Sequence, residues 1–527
     1  MRHSVLCALA LVSVGCGASR PDVRSSADAD PNPPLPMLPW MAGGETMPAL
    51  DTPLTALVGG TVMTATGTTY ERGVVVFEDG VLVAVGAEGE VAIPEGATVI
   101  DTTGRFVTPG IIDTHSHMGV YGVPDLAAHA DGNEATSPVT AHVRAIDSFW
   151  PQDAALGRAL ASGITTIQVL PGSANLIGGA AETFKLHLGI SASEMIFPAA
   201  PSTMKMACGE NPKRVYGERD AEPSTRMGNV AGYRRAFQEA IEYGLAWAEW
   251  QEHYRTWAID EELWERHQSA TMDAIDAAAG RGETTTIAAV EAEEEGEEAP
   301  EDPGPAPVPP ARDFGHELLL GAMEGRVLVQ MHCYRADEMI RMIEVSREFG
   351  FRIRSFHHAV EAYKIRDVLA AEEISVSTWA DWWGFKAEAF DAIPENVALL
   401  TEAGARAVVH SDDPMLIQRL NQEAGKALTA GREAGIALTD EQALQWITIH
   451  PAWTLGIDDR TGSLEAGKMA DVVVWSHHPF SVYANADLVY VDGVLEHDRA
   501  RDGVGHRSDF ELGLDPGLAD GTAGGAR

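Results

Sequence analysis

His115 and His117, separated by one residue, close the apolar run Val107-Thr108-Pro109-Gly110-Ile111-Ile112-Asp113-Thr114. In an extended strand alternate side chains share a face, so both imidazoles point one way and Ser116 the other. Such a pair can share one metal ion, although polar residues closing a buried strand would show the same spacing. Four more residues with metal-binding chemistry stand at or near the ends of later apolar segments. They are Lys185, after the Gly178-Gly179 turn, His332, His358, and Asp412 in Val408-Val409-His410-Ser411-Asp412-Asp413-Pro414. Neutral imidazoles and a carboxylate suit zinc or a related divalent ion, and a catalytic site must keep a position open for water. A lysine ammonium, with a reference pKa of about 10, would repel such cations.

These residues need a scaffold that aims strand ends at one point. Apolar runs at 165–170, 326–332, 352–358, 374–379 and 407–410 alternate with helical periodicity at 336–349, 363–372 and 440–449. Strands alternating with helices argue for parallel βα units, and their number suits a closed barrel with catalytic groups at the C-terminal strand ends. Residues 57–107 instead alternate apolar and polar types between Gly-rich turns such as Asp79-Gly80, and 462–494 repeat that pattern. Neither block can bury both faces alone, so the two are expected to pair. The predicted class is α/β: a (β/α)8 TIM-like barrel over 108–455, with a small β-sandwich built from both chain ends at 51–107 and 456–510. An insertion at about 230–312 joins a Trp- and Tyr-rich helix to an acidic, Pro-rich low-complexity loop, expected to be mobile and expendable for chemistry.

The Pro-Gly turn, the apolar approach and Asp113 beside His115-Ser116-His117 resemble the first-strand signature of the amidohydrolase superfamily of metal-dependent hydrolases. The order His-x-His, Lys185, His332, His358, Asp412 resembles its binuclear branch over essentially the whole barrel, and the chain as a whole resembles the imidazolonepropionase-related members. The resemblance implies that Lys185 reacts with carbon dioxide to give an anionic carbamate bridging two zinc ions. An exposed, snorkelling Lys185 would instead leave a site for one ion. Alternation should keep His357 and His358 from both pointing inward, and matching Glu361, Tyr363 and Lys364 to the family pattern assigns His358 to the metal and leaves His357 outward or behind it. His410 shares the Asp412 face and is expected to contact substrate or Asp412.

The activity this implies is hydrolysis of a C–N bond in an amide, a cyclic amide, a dipeptide or an N-acyl amino acid. Divalent ions lower the pKa of water from 15.7 to about 7, and Asp412 would carry the proton of the attacking water to the leaving nitrogen. Deamination and phosphotriester or lactone hydrolysis are alternatives on the same barrel, the superfamily's mononuclear deaminases not using a bridging lysine. A surface protein that binds without turnover is a further, disfavoured one. For substrate binding, Tyr334 and Arg335 follow His332, and Arg335 could grip a carboxylate bidentately. Trp379, Trp382 and Trp383 form an aromatic group, and Tyr363 or His410 could polarise a carbonyl. Alternatively, Arg335 only starts a helix and the tryptophans pack under the insertion.

A chain of 527 residues exceeds one hydrophobic core, and 38 basic against 78 acidic residues give a charge of −40. That excess repels polyanions, so no nucleic acid is expected and a small molecule is the partner, with self-association left open. Arg2 and His3 precede an apolar stretch at 5–14 too short for a membrane span but suited to a signal-peptide core. Gly15-Cys16 after it resembles a bacterial lipoprotein cleavage site, so residues 1–16 are read as a leader, 17–50 as a flexible tether and 511–527 as a flexible tail. Export to the periplasm or cell envelope follows, with the lipid on Cys16 as the only membrane contact. Cys208 and Cys333 remain in the mature body, too few for a disulfide framework, and Cys333 is expected to face the helices as a small apolar filler.

Overall fold

The computed structural model describes residues 50–287 and 299–502. The expected leader with Cys16, almost all of the tether, the tail and most of the acidic run lie outside these residues. The described residues divide into two compact units, Trp247–Pro309 and the remainder. In the first, the later part of the 55-residue helix Arg226–Gly280 carries the insertion's aromatic side chains. Trp250 donates its indole N–H to Pro307 O (2.9 Å) and Trp257 to Gly304 O (2.8 Å), so part of the Pro-rich return segment is held against the helix instead of being free.

In the larger unit the barrel strands are β6 Ile111–Ser116, β7 Ile164–Val169, β8 Ile177–Lys185, β9 Thr203–Ala207, β10 Leu328–Cys333, β11 Ile353–His358, β12 Ser375–Thr378 and β13 Ala407–Val409. They form one eight-stranded sheet in sequence order, buried on both faces as expected for a sheet ringed by helices. Between β6 and β13 the seam is bridged by irregular backbone: Asp412 N donates to His115 O (2.9 Å), Val409 N to Trp446 O (3.0 Å) and Ile112 N to Ile447 O (2.9 Å). The barrel departs from eight parallel strands at one place. Strand β8 runs antiparallel to both β7 and β9. Residues 170–176, which link β7 to β8, are too few for a parallel crossover, which takes about a dozen or more residues.

That reversal moves Lys185. As the last residue of an antiparallel strand, it pairs with Thr166 near the start of β7, at the end of the barrel opposite the histidines. There its buried ammonium lies 3.0 Å from Asp471 Oδ1 and donates to Asp492 as well. The expected metal-bridging role for Lys185 is therefore corrected to a structural ion pair. His187 extends the cluster through Asp492 (3.0 Å) and Glu496.

Glu496 lies on a strand of the other sheet, and Asp471 and Asp492 directly flank its strands. Strands β1 Thr55–Met63, β2 Thr69–Glu78, β3 Val81–Ala87, β4 Thr98–Asp101 and β5 Phe106–Pro109 join β14 Val472–Trp475, β15 Ala486–Val491 and β16 Val494–Asp498 in the order β16-β15-β14-β5-β1-β2-β3, with β4 beside β1. The two chain ends do pair, through β14 on β5. Hydrogen bonds connect all eight strands into one mixed sheet, however, and not the two separate sheets of the expected sandwich. Leu57, Val75, Phe77, Val107, Val472 and Val474 share its core.

Cys208 and Cys333 form a disulfide, which corrects the reading of Cys333 as an unpaired filler. The pairing follows from strand register: Ala207 lies opposite His332, so the next residue on each strand meets its neighbour, with Cα atoms 5.2 Å apart. The link staples two strands that the insertion separates widely in sequence.

Two outcomes test this arrangement. Lys185→Met should destabilise the protein by about 3–5 kcal/mol, since it removes the cation held between two buried carboxylates, yet leave its divalent-metal content unchanged; denaturant melts and elemental analysis check both. Burial alone would lower the His187 pKa, but hydrogen bonds to Asp492 and Glu496 outweigh it and raise the value from 6.5 to about 9. Its contribution is thus complete below about pH 6.5 and fades as pH rises through about 9, so His187→Asn should flatten the decline of stability over that window.

Candidate metal centre

Strand alternation brings His115 and His117 to one face, and the last residues of β6, β10, β11 and the loop after β13 surround them. Asp412 Oδ1 lies 3.4 Å from His115 Nε2 and 3.2 Å from His117 Nε2, while its Oδ2 is 3.9 Å from His358 Nδ1. The His358 ring is 4.7 Å from that of His115 and 4.5 Å from that of His332. Two groups, His115–His117–Asp412 and His115–His358–His410, each bring their ligand atoms within 4.8 Å of one another.

Hydrogen bonds fix which nitrogens are bare. The Leu170 carbonyl can only accept, so His117 donates Nδ1–H to it (2.8 Å), and in the neutral ring Nε2 is then the bare nitrogen. On the other side Gln330 donates its amide N–H to Thr454 O (3.3 Å), which turns its oxygen toward His357 Nε2–H (2.8 Å). His357 Nδ1 therefore accepts from His115 Nδ1–H (2.8 Å), and His115 Nε2 is bare. The two bare Nε2 atoms stand 3.3 Å apart. This relay is the arrangement that orients metal-ligating imidazoles. Burial, the largest cause, lowers the pKa of His115, His332, His357 and His358 well below the usual imidazole range and that of His410 to about 3, so these rings are neutral. Among the described residues, both ring nitrogens of His332 and the Nδ1 atoms of His358 and His410 are buried without a hydrogen-bond partner. Such orphaned nitrogens beside a carboxylate fit a divalent cation and fit little else.

His357 and His358 both reach this interior, contrary to the alternation expected of them, because the strand ends in a kink. His358 (φ 69°) and Ala359 (φ 35°) adopt the left-handed region, as does Asp412 (φ 60°). Non-glycine residues held there cost about 1–3 kcal/mol each and gather at functional sites. Thr378 Oγ1 on His358 O (2.6 Å) and Asn396 on Ala359 O (3.2 Å) hold the kink. Asp113 locks the opposite wall by accepting from Ser411 N (3.1 Å), the Ser411 hydroxyl and His115 N (3.2 Å); burial pushes its carboxyl up to about 7.

A lysine does enter the centre, from a different strand. Lys205 on β9 is fully buried and places Nζ 3.1 Å from His115 Nε2. Burial lowers its pKa to about 7, partly opposed by Asp412. Lys205 was not among the residues singled out from the sequence. The available signal was Met204-Lys205-Met206, a lysine alone between apolar residues.

Of the residues expected to meet substrate, Tyr334 is buried and stacks on His358 (5.2 Å, 19°). Trp382 stacks on Trp379 (4.9 Å), which itself stacks on His358 (4.5 Å). His410 lies inside the histidine cluster, its Nε2 accepting from His358 N (3.3 Å). Arg335 pairs with Asp337 at the start of the helix Ala336–Phe349, and Tyr363 donates its hydroxyl to Asp391 O (3.2 Å); both are corrected as site residues, since local partners hold their polar ends.

A profile of the amidohydrolase family matches residues 106–495. Amidohydrolase tasK of Hapsidospora irregularis is 33% identical over 422 residues, covering 77% of this chain and 38% of its own, so this chain spans well under half of that relative. A 5-methylthioadenosine/S-adenosylhomocysteine deaminase of Symbiobacterium thermophilum is 25% identical over 79% of this chain and 84% of its own. The crystal structure of an amidohydrolase from Thermotoga maritima MSB8 aligns with 84% of this chain and 100% of its own at a TM-score of 0.67 and 33% identity. By its barrel, its strand-end histidines and this match over most of its length, the chain belongs to the amidohydrolase family.

Proposed function

We propose that this chain is a binuclear metal-dependent hydrolase of C–N bonds, acting on amides of the N-acyl amino acid or dipeptide type. The observation that carries the reading is the pair of bare nitrogens, His115 Nε2 and His117 Nε2, facing each other beside Asp412. His115, His117 and Asp412 would hold one cation, and His332 and His358 a second, zinc suiting both. When bound, these ions supply Lewis acidity and lower the pKa of water to about 7.

Lys205 would hold the cations in the role expected of Lys185. With its pKa near 7, much of the amine is neutral at neutral pH and can attack carbon dioxide, forming an N–C bond and releasing one proton to solvent. The resulting carbamate is an anion where an ammonium would repel cations. Asp412, partly solvent-exposed at the cavity face, moves a proton from water to the leaving nitrogen. The buried tryptophan and tyrosine rings beside His358 exclude water from the acyl side. The lysine favours amide hydrolysis over deamination. Export is part of the proposal, and the Cys208–Cys333 disulfide supports it, since such bonds persist mainly in oxidising compartments.

Protein purified without chelator, in bicarbonate buffer, should carry close to two divalent ions per chain by elemental analysis. Lys205→Ala should retain one or fewer and lose hydrolysis of an N-acyl amino acid and dipeptide library, while Asp412→Asn should lower kcat by about 10²- to 10⁴-fold. Full metal content and activity in Lys205→Ala would overturn the bridging role.

A further inference from the structure

Beside the histidine cluster stands a cation that the chemistry above does not use. Lys386, in the loop after β12, places Nζ 3.8 Å from the centre of the Tyr334 ring. The same ring contacts His332 (5.0 Å) and stacks on His358, so the ammonium touches a side chain shared with two of the candidate ligands. Lys386 is largely buried, with 16% of its side chain exposed. It donates one N–H to Asn211 Oδ1 (3.2 Å), while Glu210 Oε1, at 3.8 Å, is beyond hydrogen-bond range. Glu210 is thus an ion-pair partner only, and two of the three N–H groups make no hydrogen bond among the described residues. The Tyr334 hydroxyl likewise has no hydrogen-bond partner there. A desolvated ammonium with spare donors is complementary to an incoming anion.

The loop that presents Lys386 is fixed from behind. Glu388, two residues further on, is buried and bound by Arg226, which also pairs with Glu338 at 2.8 Å. Arg226 begins the helix in the segment after β9, and Glu338 lies on the helix after β10. Gly209 faces the Glu388 carboxylate so closely that a Cβ would lie 2.8 Å from its oxygens. The triad, with both its carboxylates largely buried, thus clamps the loop to the segments that follow Lys205 and His332. A cation so held is preorganised for one ligand geometry. On the other side Trp379, stacked on both His358 and Trp382, gives an apolar wall.

We propose that Lys386 receives a free carboxylate on the substrate, so that this chain selects N-acyl amino acids or dipeptides whose ionised carboxylate lies beside the scissile amide, with an apolar acyl side against Trp379. This rests on the amide-hydrolase reading above. Arg335, expected for that task, is taken by Asp337, whereas Lys386 reaches the ring shared by the metal-binding histidines.

The test compares N-acetyl-L-amino acids and dipeptides with their C-terminal carboxamides, following release of the N-terminal acyl group, for the unsubstituted protein, Lys386→Met and Lys386→Arg. The unsubstituted protein should prefer the acids by about 10²-fold in kcat/KM, in line with the loss of a charge-assisted hydrogen bond. Lys386→Met should erase that preference chiefly through KM and leave the carboxamides within about twofold, and Lys386→Arg should restore part of it. Calorimetry of the metal-loaded protein with L-phenylalanine and L-phenylalaninamide gives a readout independent of turnover: only the acid should weaken in Lys386→Met. Equal losses for acid and carboxamide, or equal affinities in all variants, would overturn the assignment. Binding of the acid that depends on Lys386, with no hydrolysis of any compound, would overturn the hydrolase reading and leave the anchor standing.

Discussion

Two imidazole nitrogens face each other at 3.3 Å with a carboxylate oxygen beside both, and only the Lys205 amine, 3.1 Å from one of them, offsets their mutual repulsion among the described residues. No folded chain would gain stability from that convergence on its own account. The rest of the barrel is arranged so that it cannot relax. The Leu170 carbonyl and the Thr454–Gln330–His357 relay hold the outward nitrogens, and burial disfavours protonation of His115. The left-handed backbone at His358 and Asp412 keeps the strand ends bent into the cavity.

The lysines show how strand direction decides chemistry. Lys185 and Lys205 are both buried, on neighbouring strands of one sheet. Because β8 runs against its neighbours, its final residue emerges at the acidic junction with Asp471 and Asp492, whereas Lys205 on a parallel strand emerges among histidines. The first is a charge matched by acids. The second is an amine that its surroundings push toward neutrality.

Much of this was legible in the sequence. His115, His117, His332, His358 and Asp412 were readable because each closes an apolar run that a barrel must end at one rim. The helix at 336–349 was placed at its observed bounds because its apolar face recurs with helical spacing and Gly350 ends it. Strands β8 and β9 were not legible. The glycines at 178 and 179 read as a turn although they lie within β8, and Met204-Lys205-Met206 is too short a run to be told from a loop. With β8 unseen, its reversed direction could not be known, and the lysine was assigned to the wrong rim. The inward turn of His357 was hidden for another reason: alternation assumes regular backbone, and the φ of 69° at His358 breaks it.

The sheet joined by β5 and β14 has a consequence for biosynthesis. Its early strands leave the ribosome with an unpaired edge, and that edge stays open until the whole barrel and the segment carrying Asp471 and Asp492 have been made. Until then the ammonium of Lys185 has no acids to meet. A nascent chain therefore cannot complete its architecture vectorially, and an interrupted one would present both a sticky strand and an uncompensated charge to the cell's quality-control machinery.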